Sequence, residues 1–177
     1  MQLLAHREAG KEDRMNVTFC GHGRINYPKE LSSWLDLILP SLIEGGANTF
    51  YLGGYGDFDG VAASAVRRQK DIYPHIESVL VLAYLNTDRG TDGYDTTVYP
   101  PLEEVPLRYA IVKRNEWMVS ASGVIISGVK HNWGGAAKTL EYAKKQQRVI
   151  FQFPYRKSDR PEIKGNSYGV RPKSCKG

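Results

Sequence analysis

Two glycine pairs, each placed where a β-like run changes to helical periodicity, are the residues best suited to chemistry in this chain. The first pair is Gly53 and Gly54, and the second is Gly134 and Gly135. Such a junction turns backbone N–H groups toward solvent at a helix N-terminus, where unpaired donors and the helix dipole stabilise phosphate. Glycine allows the tight turn and lets a ligand approach the backbone. The two junctions therefore predict a nucleotide cradle, although either pair could serve only its turn.

Polar and aromatic side chains near these junctions extend the predicted cradle. Asp59 could accept hydrogen bonds from ribose hydroxyls, or it could complement the dipole of its helix. The hydroxyl of Thr139 could donate to a phosphate oxygen or bond back to its own helix. Further predicted ligand contacts are turn residues near the strand ends: Gly21, His22, Tyr55 and Ala136. Aromatic residues near these strand ends could stack on a base: Tyr55, Tyr84 and Trp133.

Arg114 is the predicted phosphate anchor. Its guanidinium offers forked donors that match phosphate, and it stays charged when partly desolvated. The alternative is a surface ion pair with Glu116 or Glu104. The neighbouring Asn115 could hydrogen-bond a base or a ribose.

The elements that must position these residues alternate between strand and helix. Strands are predicted at 17–20, 49–52, 78–84, 123–127 and 149–153, and helices at 31–44, 61–71, 106–120 and 134–145. Residues 86–105 read as a long loop, which in a compact domain is usually functional. The alternation predicts an α/β fold, a three-layer Rossmann-like parallel sheet with helices on both faces. Ligands in such sheets bind beyond the carboxyl ends of the strands, where the strand order switches.

The net charge of +5 is concentrated at the C-terminal end. Residues 154–177 contain seven Lys or Arg against two Asp or Glu, whereas residues 1–153 contain 17 of each sign. We therefore predict a leader outside the fold at residues 1–14, one nucleotide-binding domain at residues 15–153 and a basic tail at residues 154–177. The balanced domain is not a basic nucleic-acid surface, so any contact with nucleic acid is expected to be weak and through the tail.

Composition excludes several other classes. No apolar run approaches the roughly 18 residues that span a bilayer, so no membrane contact is predicted. The two cysteines, Cys20 and Cys175, are far apart. This pattern fits a reducing cytoplasm rather than a disulfide framework or a zinc site. No metal and no cofactor is predicted, because the histidines lack the spacing of metal ligands.

In order and spacing, these motifs resemble the SLOG superfamily over roughly residues 16–153. The motifs that carry the resemblance are Thr18 to His22, Gly53-Gly54 with Asp59 and Ala62-Ala63, Arg114-Asn115 with Met118, and Gly134-Gly135 with Thr139 and Tyr142-Ala143. Rossmann-like members include LOG phosphoribohydrolases, DNA-processing proteins and nucleotide-sensing domains of bacterial defence systems. The resemblance is strongest to small single-domain bacterial and phage members. It implies a nucleotide-derived ligand and assembly into homo-oligomers.

Glu141 raises the possibility of an enzyme. LOG hydrolases carry a Gly-Gly-x-Gly-Thr-x-x-Glu pattern, whose Glu acts with an upstream Arg in cleaving an N-glycosidic bond. Here Glu141 stands at the matching distance from Gly134, and Arg114 fits the upstream Arg. The third glycine is replaced by Ala137, and the threonine is displaced by one position. Glu141 could equally form an ordinary i,i+4 helix pair with Lys145.

Two functions follow from these observations. The first is binding, sensing or sequestration of a nucleotide or ADP-ribose-like molecule through the glycine-rich turns. The alternative is a LOG-like nucleoside 5′-monophosphate phosphoribohydrolase or transferase that uses Glu141 and Arg114 as catalytic residues.

Overall fold

The computed structural model of the protein describes residues 16–85 and 90–155. Its strands are β1 (Asn16–Gly21), β2 (Thr49–Leu52), β3 (Glu77–Val81), β4 (Thr96–Val98), β5 (Val124–Gly128) and β6 (Val149–Gln152). Its helices are α1 (Pro28–Glu44), α2 (Gly56–Ile72), α3 (Ala110–Ser120) and α4 (Gly134–Lys145), with a short 3-10 helix at Leu107–Tyr109. The predicted leader, and the predicted tail from residue 156 onward, lie outside the described residues.

The six strands form one parallel sheet in the order β4-β3-β2-β1-β5-β6. The chain builds outward from β1 through β2 and β3, and then returns to place β5 on the other side of β1. The order therefore reverses between β1 and β5, whose residues Gly21 and Gly128 are in register at the carboxyl ends. This arrangement confirms the predicted Rossmann-like α/β fold and fixes the place where a ligand is expected.

Two apolar layers cover the sheet, one on each face. On one face, α1 and α2 pack over β1 and β2, and α1 buries a leucine or isoleucine at every fourth position. On the other face, α3 and α4 pack over β1 and β5. The alternation within β1 serves both layers, because Phe19 belongs to the first and Cys20 to the second.

The stretch predicted as a long loop contains one strand that the sequence analysis did not identify. β4 has three residues with no buried side chain and adds a sixth strand at the edge of the sheet. Asp95, just before β4, accepts hydrogen bonds from the backbone N–H and the hydroxyl of Ser78, both at 2.8 Å. A strand this short and exposed has no hydrophobic alternation to reveal it.

Phe58, in the first turn of α2, lies over the ends of β1 and β5. It is fully buried. A Cβ at Gly21 or at Gly128 would overlap its ring. The glycines at these two strand ends therefore allow α2 to approach the sheet, which is a packing role at the point where the strand order reverses.

We expect Gly56→Ala to lower the free energy of unfolding by about 2 kcal/mol, because a non-glycine residue held at positive φ costs about 1–3 kcal/mol. Gly56 has φ +85°, and a Cβ there would lie 2.5 Å from the Cα of Gly23. Gly60→Ala is the matched control in the same helix, since a Cβ at Gly60 meets no atom within 4 Å. The control should be neutral or stabilising by up to about 1 kcal/mol. Urea denaturation measures both variants, and equal stabilities would contradict the prediction.

Candidate functional site

A cleft of about 370 Å³ opens at the carboxyl end of β1, where the strand order reverses. Most of the predicted ligand contacts line it: Gly21, His22, Tyr55, Asp59, Arg114, Asn115, Gly134, Gly135, Ala136 and Thr139. The fold thus brings together residues that are separated by more than 100 positions in the chain.

The N-terminus of α4 opens into this cleft. Trp133 precedes the helix in an extended conformation and provides no side-chain cap. The backbone N–H groups of Gly134, Gly135 and Ala136 have no partner within the helix by geometry. None of them donates a hydrogen bond to another described residue. A Cβ at Gly134 or Gly135 would meet no atom within 4 Å, so the space beside these amides is open. Exposed amides at a helix N-terminus are suited to an anion.

At the N-terminus of α2, predicted as the first cradle, two backbone N–H groups bond to the protein itself. The N–H of Asp57 donates to the carbonyl of Gly23 at 2.9 Å. The N–H of Tyr55 donates to Oδ2 of Asp59, also at 2.9 Å. Among the residues of this turn, only Tyr55 and Asp59 line the cleft.

Gly53 and Gly54, which were predicted as ligand contacts, lie outside the cleft. A Cβ at Gly53 would lie 3.0 Å from both terminal nitrogens of Arg114. Gly54 has φ +70°, and its Cβ would lie 2.7 Å from Cδ1 of Leu80. The first pair thus allows the close approach of neighbouring side chains, and it lines a separate pocket of only about 40 Å³.

Arg114 is buried, with 2% of its surface exposed. Its Nη1 donates to the carbonyl oxygens of Gly53 at 2.6 Å and of Val81 at 2.7 Å. Its guanidinium carbon lies 5.0 Å from the centroid of the Tyr55 ring. The surface ion pair considered from the sequence is not formed with Glu116, which pairs with Lys113. Arg114 therefore links the ends of β2 and β3 and places a positive charge at the cleft wall.

A chain of hydrogen bonds connects Arg114 to the open end of α4. Nε of Arg114 donates to Oδ1 of Asn115 at 2.9 Å, and Nδ2 of Asn115 donates to Oγ1 of Thr139 at 3.3 Å. The Thr139 hydroxyl donates to the carbonyl of Gly135 at 3.0 Å, which is the back-bond considered from the sequence. Asn115 and Thr139 thus hold α3 against the first turns of α4.

Asp59 is the only carboxylate among the described residues that line the cleft. Burial raises the pKa of its side chain to about 6, while the N–H of Tyr55 and the charge of Arg114 act in the opposite direction. At neutral pH the group is mostly ionised and can accept hydrogen bonds from ligand hydroxyls. The cleft wall thus carries one positive and one negative side chain, Arg114 and Asp59, which interact electrostatically.

The ring of His131 lies between those of His22 and Trp133 and contacts both. His22 and Trp133 line the cleft. Nε2 of His22 accepts hydrogen bonds from the N–H of Lys130 at 2.8 Å and of His131 at 3.2 Å. Burial, and then the nearby His131, lower the pKa of His22, in agreement with an acceptor nitrogen. The His131 ring lies 5.1 Å from that of His22, and it stacks on the indole of Trp133 at 5.2 Å with an interplanar angle of 16°.

Cys20 also belongs to the cleft wall, although it was not among the predicted ligand contacts. Its thiol donates to the carbonyl of Ala136 at 3.2 Å. Burial raises the pKa of the Cys20 thiol to about 12, so the sulfur stays protonated. The position of Cys20 directly after Phe19 in β1 could have indicated its place in the cleft wall, because successive residues of a strand point to opposite faces of the sheet.

Glu141 does not reach the cleft. Its side chain is exposed on α4 and accepts a hydrogen bond from Nζ of Lys144 at 2.7 Å, rather than pairing with Lys145. That bond and the charge of Lys144 lower the pKa of Glu141. The described residues contain no group of three side chains placed to hold a metal ion. None of the helices in the described part of the chain has the length and apolar character that crossing a bilayer requires.

Comparison with known proteins shows a shared fold. No protein-family model matches the sequence, and no curated protein is significantly similar to it. DNA processing protein A from Helicobacter pylori, described for its single-stranded DNA binding mode, is 17% identical with a TM-score of 0.55, over 80% of this chain and 66% of that one. The same protein from Streptococcus pneumoniae is 18% identical with a TM-score of 0.60, over 81% of this chain and 52% of that one. The molybdenum cofactor binding protein from Rippkaea orientalis is 18% identical with a TM-score of 0.56, over 78% of this chain and 76% of that one.

At 17–18% identity these structures show a shared fold, in agreement with the Rossmann-like α/β fold predicted from the sequence. The chain spans between half and two thirds of the length of the two DNA processing proteins.

Asp59 gives the protein a defined pH dependence of stability. Because the pKa of Asp59 is about 6 in the folded protein against an ordinary value of 3.8, the folded state binds more protons than the unfolded chain between these pH values. Stability should therefore fall as pH rises through this window. We expect the free energy of unfolding of the wild type to decrease relative to that of Asp59→Asn between about pH 4 and pH 6. Chemical denaturation of both proteins across this range measures the free energy of unfolding of wild type minus that of Asp59→Asn. If this difference stays constant or increases with pH, the carboxylate is not destabilised by burial.

Proposed function

We propose that the cleft binds a nucleotide or an ADP-ribose-like molecule and holds it without chemical change, as a sensing, storage or sequestration module. The observation that carries the proposal is the uncapped N-terminus of α4, which opens into a cleft at the reversal of strand order. This is where ligands bind in open α/β sheets. The cleft volume of about 370 Å³ also lies in the usual range for small-molecule sites.

The groups around the cleft match the parts of such a ligand. A phosphate would accept hydrogen bonds from the amides of Gly134, Gly135 and Ala136, with the charge of Arg114 nearby. Ribose hydroxyls would donate to the carboxylate of Asp59. An aromatic ring at the cleft, Tyr55 or Trp133, would contact the base.

Hydrolysis of an N-glycosidic bond is less well supported. The LOG-like reading requires the carboxylate of Glu141, which is exposed and bonded to Lys144 away from the cleft. Asp59 is the carboxylate that lines the cleft, but the pattern on which the LOG-like function rests assigns the reaction to Glu141 and not to Asp59. The geometry therefore favours binding over cleavage.

A small molecule is also a better match than a nucleic acid. Proteins that hold single strands combine a positively charged groove with aromatic stacking. Here the charged residues that line the cleft are one arginine and one aspartate, and residues 1–153 carry equal numbers of both signs. The Helicobacter pylori protein binds single-stranded DNA. For this chain, we expect any contact with nucleic acid to be weak and to be made by the predicted basic tail.

We further propose that the protein acts in the cytoplasm and as a homo-oligomer. The first proposal is supported by the two widely separated cysteines, and among the described residues by the buried free thiol of Cys20. The second is supported only by the resemblance to the SLOG superfamily.

Gly135→Ala should weaken ligand binding without weakening the fold. The added methyl meets no protein atom within 4 Å, but it stands beside the amides that a phosphate must approach. Isothermal titration with AMP and with ADP-ribose, together with mass spectrometry to show that the ligand stays intact, tests the proposal. We expect wild type to bind at least one of them and Gly135→Ala to bind it about tenfold or more weakly, the equivalent of about 1.4 kcal/mol.

Gly60→Ala is the matched control, because it adds the same methyl at a helix position that does not line the cleft. It should bind as wild type does. The absence of binding to wild type, or equal binding by both variants, would reject the anion site at α4.

A further inference from the structure

Trp133 is placed in an unusual way for a tryptophan. It is 70% exposed, although burying an aromatic ring of this size would stabilise the fold. One face of its indole stacks on His131. The residue lines the cleft and also directly precedes the first turn of α4. An exposed ring held in a fixed position beside an anion site is suited to contact a ligand.

We propose that Trp133 is the platform on which the base of the ligand stacks, and that His22 is the positioning residue that holds this platform in place. The inference rests on the proposed function and makes it more specific. It assigns the ligand to molecules that carry a planar base, rather than to sugar phosphates in general.

The chain itself joins the platform to the anion site. Trp133 is followed at once by Gly134, whose φ of +88° turns the backbone into the helix. The residue that carries the indole and the residues that carry the first amides of α4 are therefore adjacent in the chain. In a mononucleotide one sugar separates the base from its phosphate, so one ligand can reach both groups. Stacking accepts any base, because every base has a π-face.

His22, directly after β1, holds the platform through the segment that precedes Trp133. Its Nε2 accepts the N–H groups of both Lys130 and His131, which fixes the backbone two residues before Trp133. Its ring also lies against that of His131, which in turn supports the indole. The two donors converge on one nitrogen, so the position requires a hydrogen-bond acceptor.

The platform predicts a difference between AMP and ribose 5-phosphate. Wild type should bind AMP more tightly, and Trp133→Ala should weaken AMP binding by about fivefold or more while leaving ribose 5-phosphate unchanged, since stacking on an aromatic side chain contributes about 1–3 kcal/mol per base. Trp133→Phe should keep most of the AMP affinity. Tyr109→Ala, which removes another exposed aromatic residue away from the cleft lining, is the control and should bind as wild type does.

The outcomes separate the two proposals. If Trp133→Ala binds AMP as wild type does, or wild type binds both compounds equally, the platform is rejected and the anion site stands. If wild type binds neither compound and also fails to bind ADP-ribose, the proposed function fails and the platform with it; where only ADP-ribose binds, it takes the place of AMP in the comparison.

The role of His22 is tested by replacing its acceptor. Gln places an amide oxygen near the position of Nε2, whereas Ala removes the acceptor. We expect His22→Ala to weaken AMP binding and to leave ribose 5-phosphate binding less affected, and His22→Gln to restore the AMP affinity. Equal losses in both variants, or no loss in His22→Ala, would overturn the positioning role.

Discussion

The buried guanidinium of Arg114 is the interaction around which the carboxyl edge of the sheet is organised. A buried charge is tolerated only when its donors are satisfied. The carbonyl oxygens that satisfy it come from Gly53 and Val81, 61 and 33 residues away in the chain. The same side chain continues through Asn115 to the first turns of α4. The ends of two strands and the faces of two helices are thereby fixed relative to one another, and the cleft is the space that this arrangement leaves open.

The glycines at the ends of β1 and β2 and at the start of α4 illustrate how one residue type serves different purposes. Gly53 allows Arg114 to approach the backbone, and Gly21 gives room to Phe58. Gly134 and Gly135 face open space instead. A glycine that is needed for packing has a side chain where its Cβ would be, while a glycine that is free of such contacts can admit a ligand. This distinction depends on the neighbours in three dimensions.

The sequence was sufficient for the fold and for most of the cleft, because hydrophobic runs and helical spacing determine the order of elements, and the order determines the edge where turns meet. It was insufficient where a partner lies far away in the chain. Arg114 lines the cleft, but nothing in the sequence indicated that two distant carbonyls would hold its buried side chain. Glu141 matched a spacing pattern, but its position on α4 directs it to Lys144. β4 is too short and too exposed to be recognised without Asp95 and its hydrogen bonds to Ser78.

The charges of the cleft determine what kind of ligand it can select. Arg114 and Asp59 oppose each other, so a polyanion gains little from the net field of their side chains. In the function we propose, the attraction for a phosphate would come mainly from the amides of α4, which act only over the first turn of the helix and only along the N–H directions. A carboxylate beside them repels an anion that offers acceptors alone, but it accepts hydrogen bonds from an anion that also carries hydroxyl groups. For the ligand we propose, this combination would favour a phosphate attached to a sugar, held in one orientation, over phosphate as such.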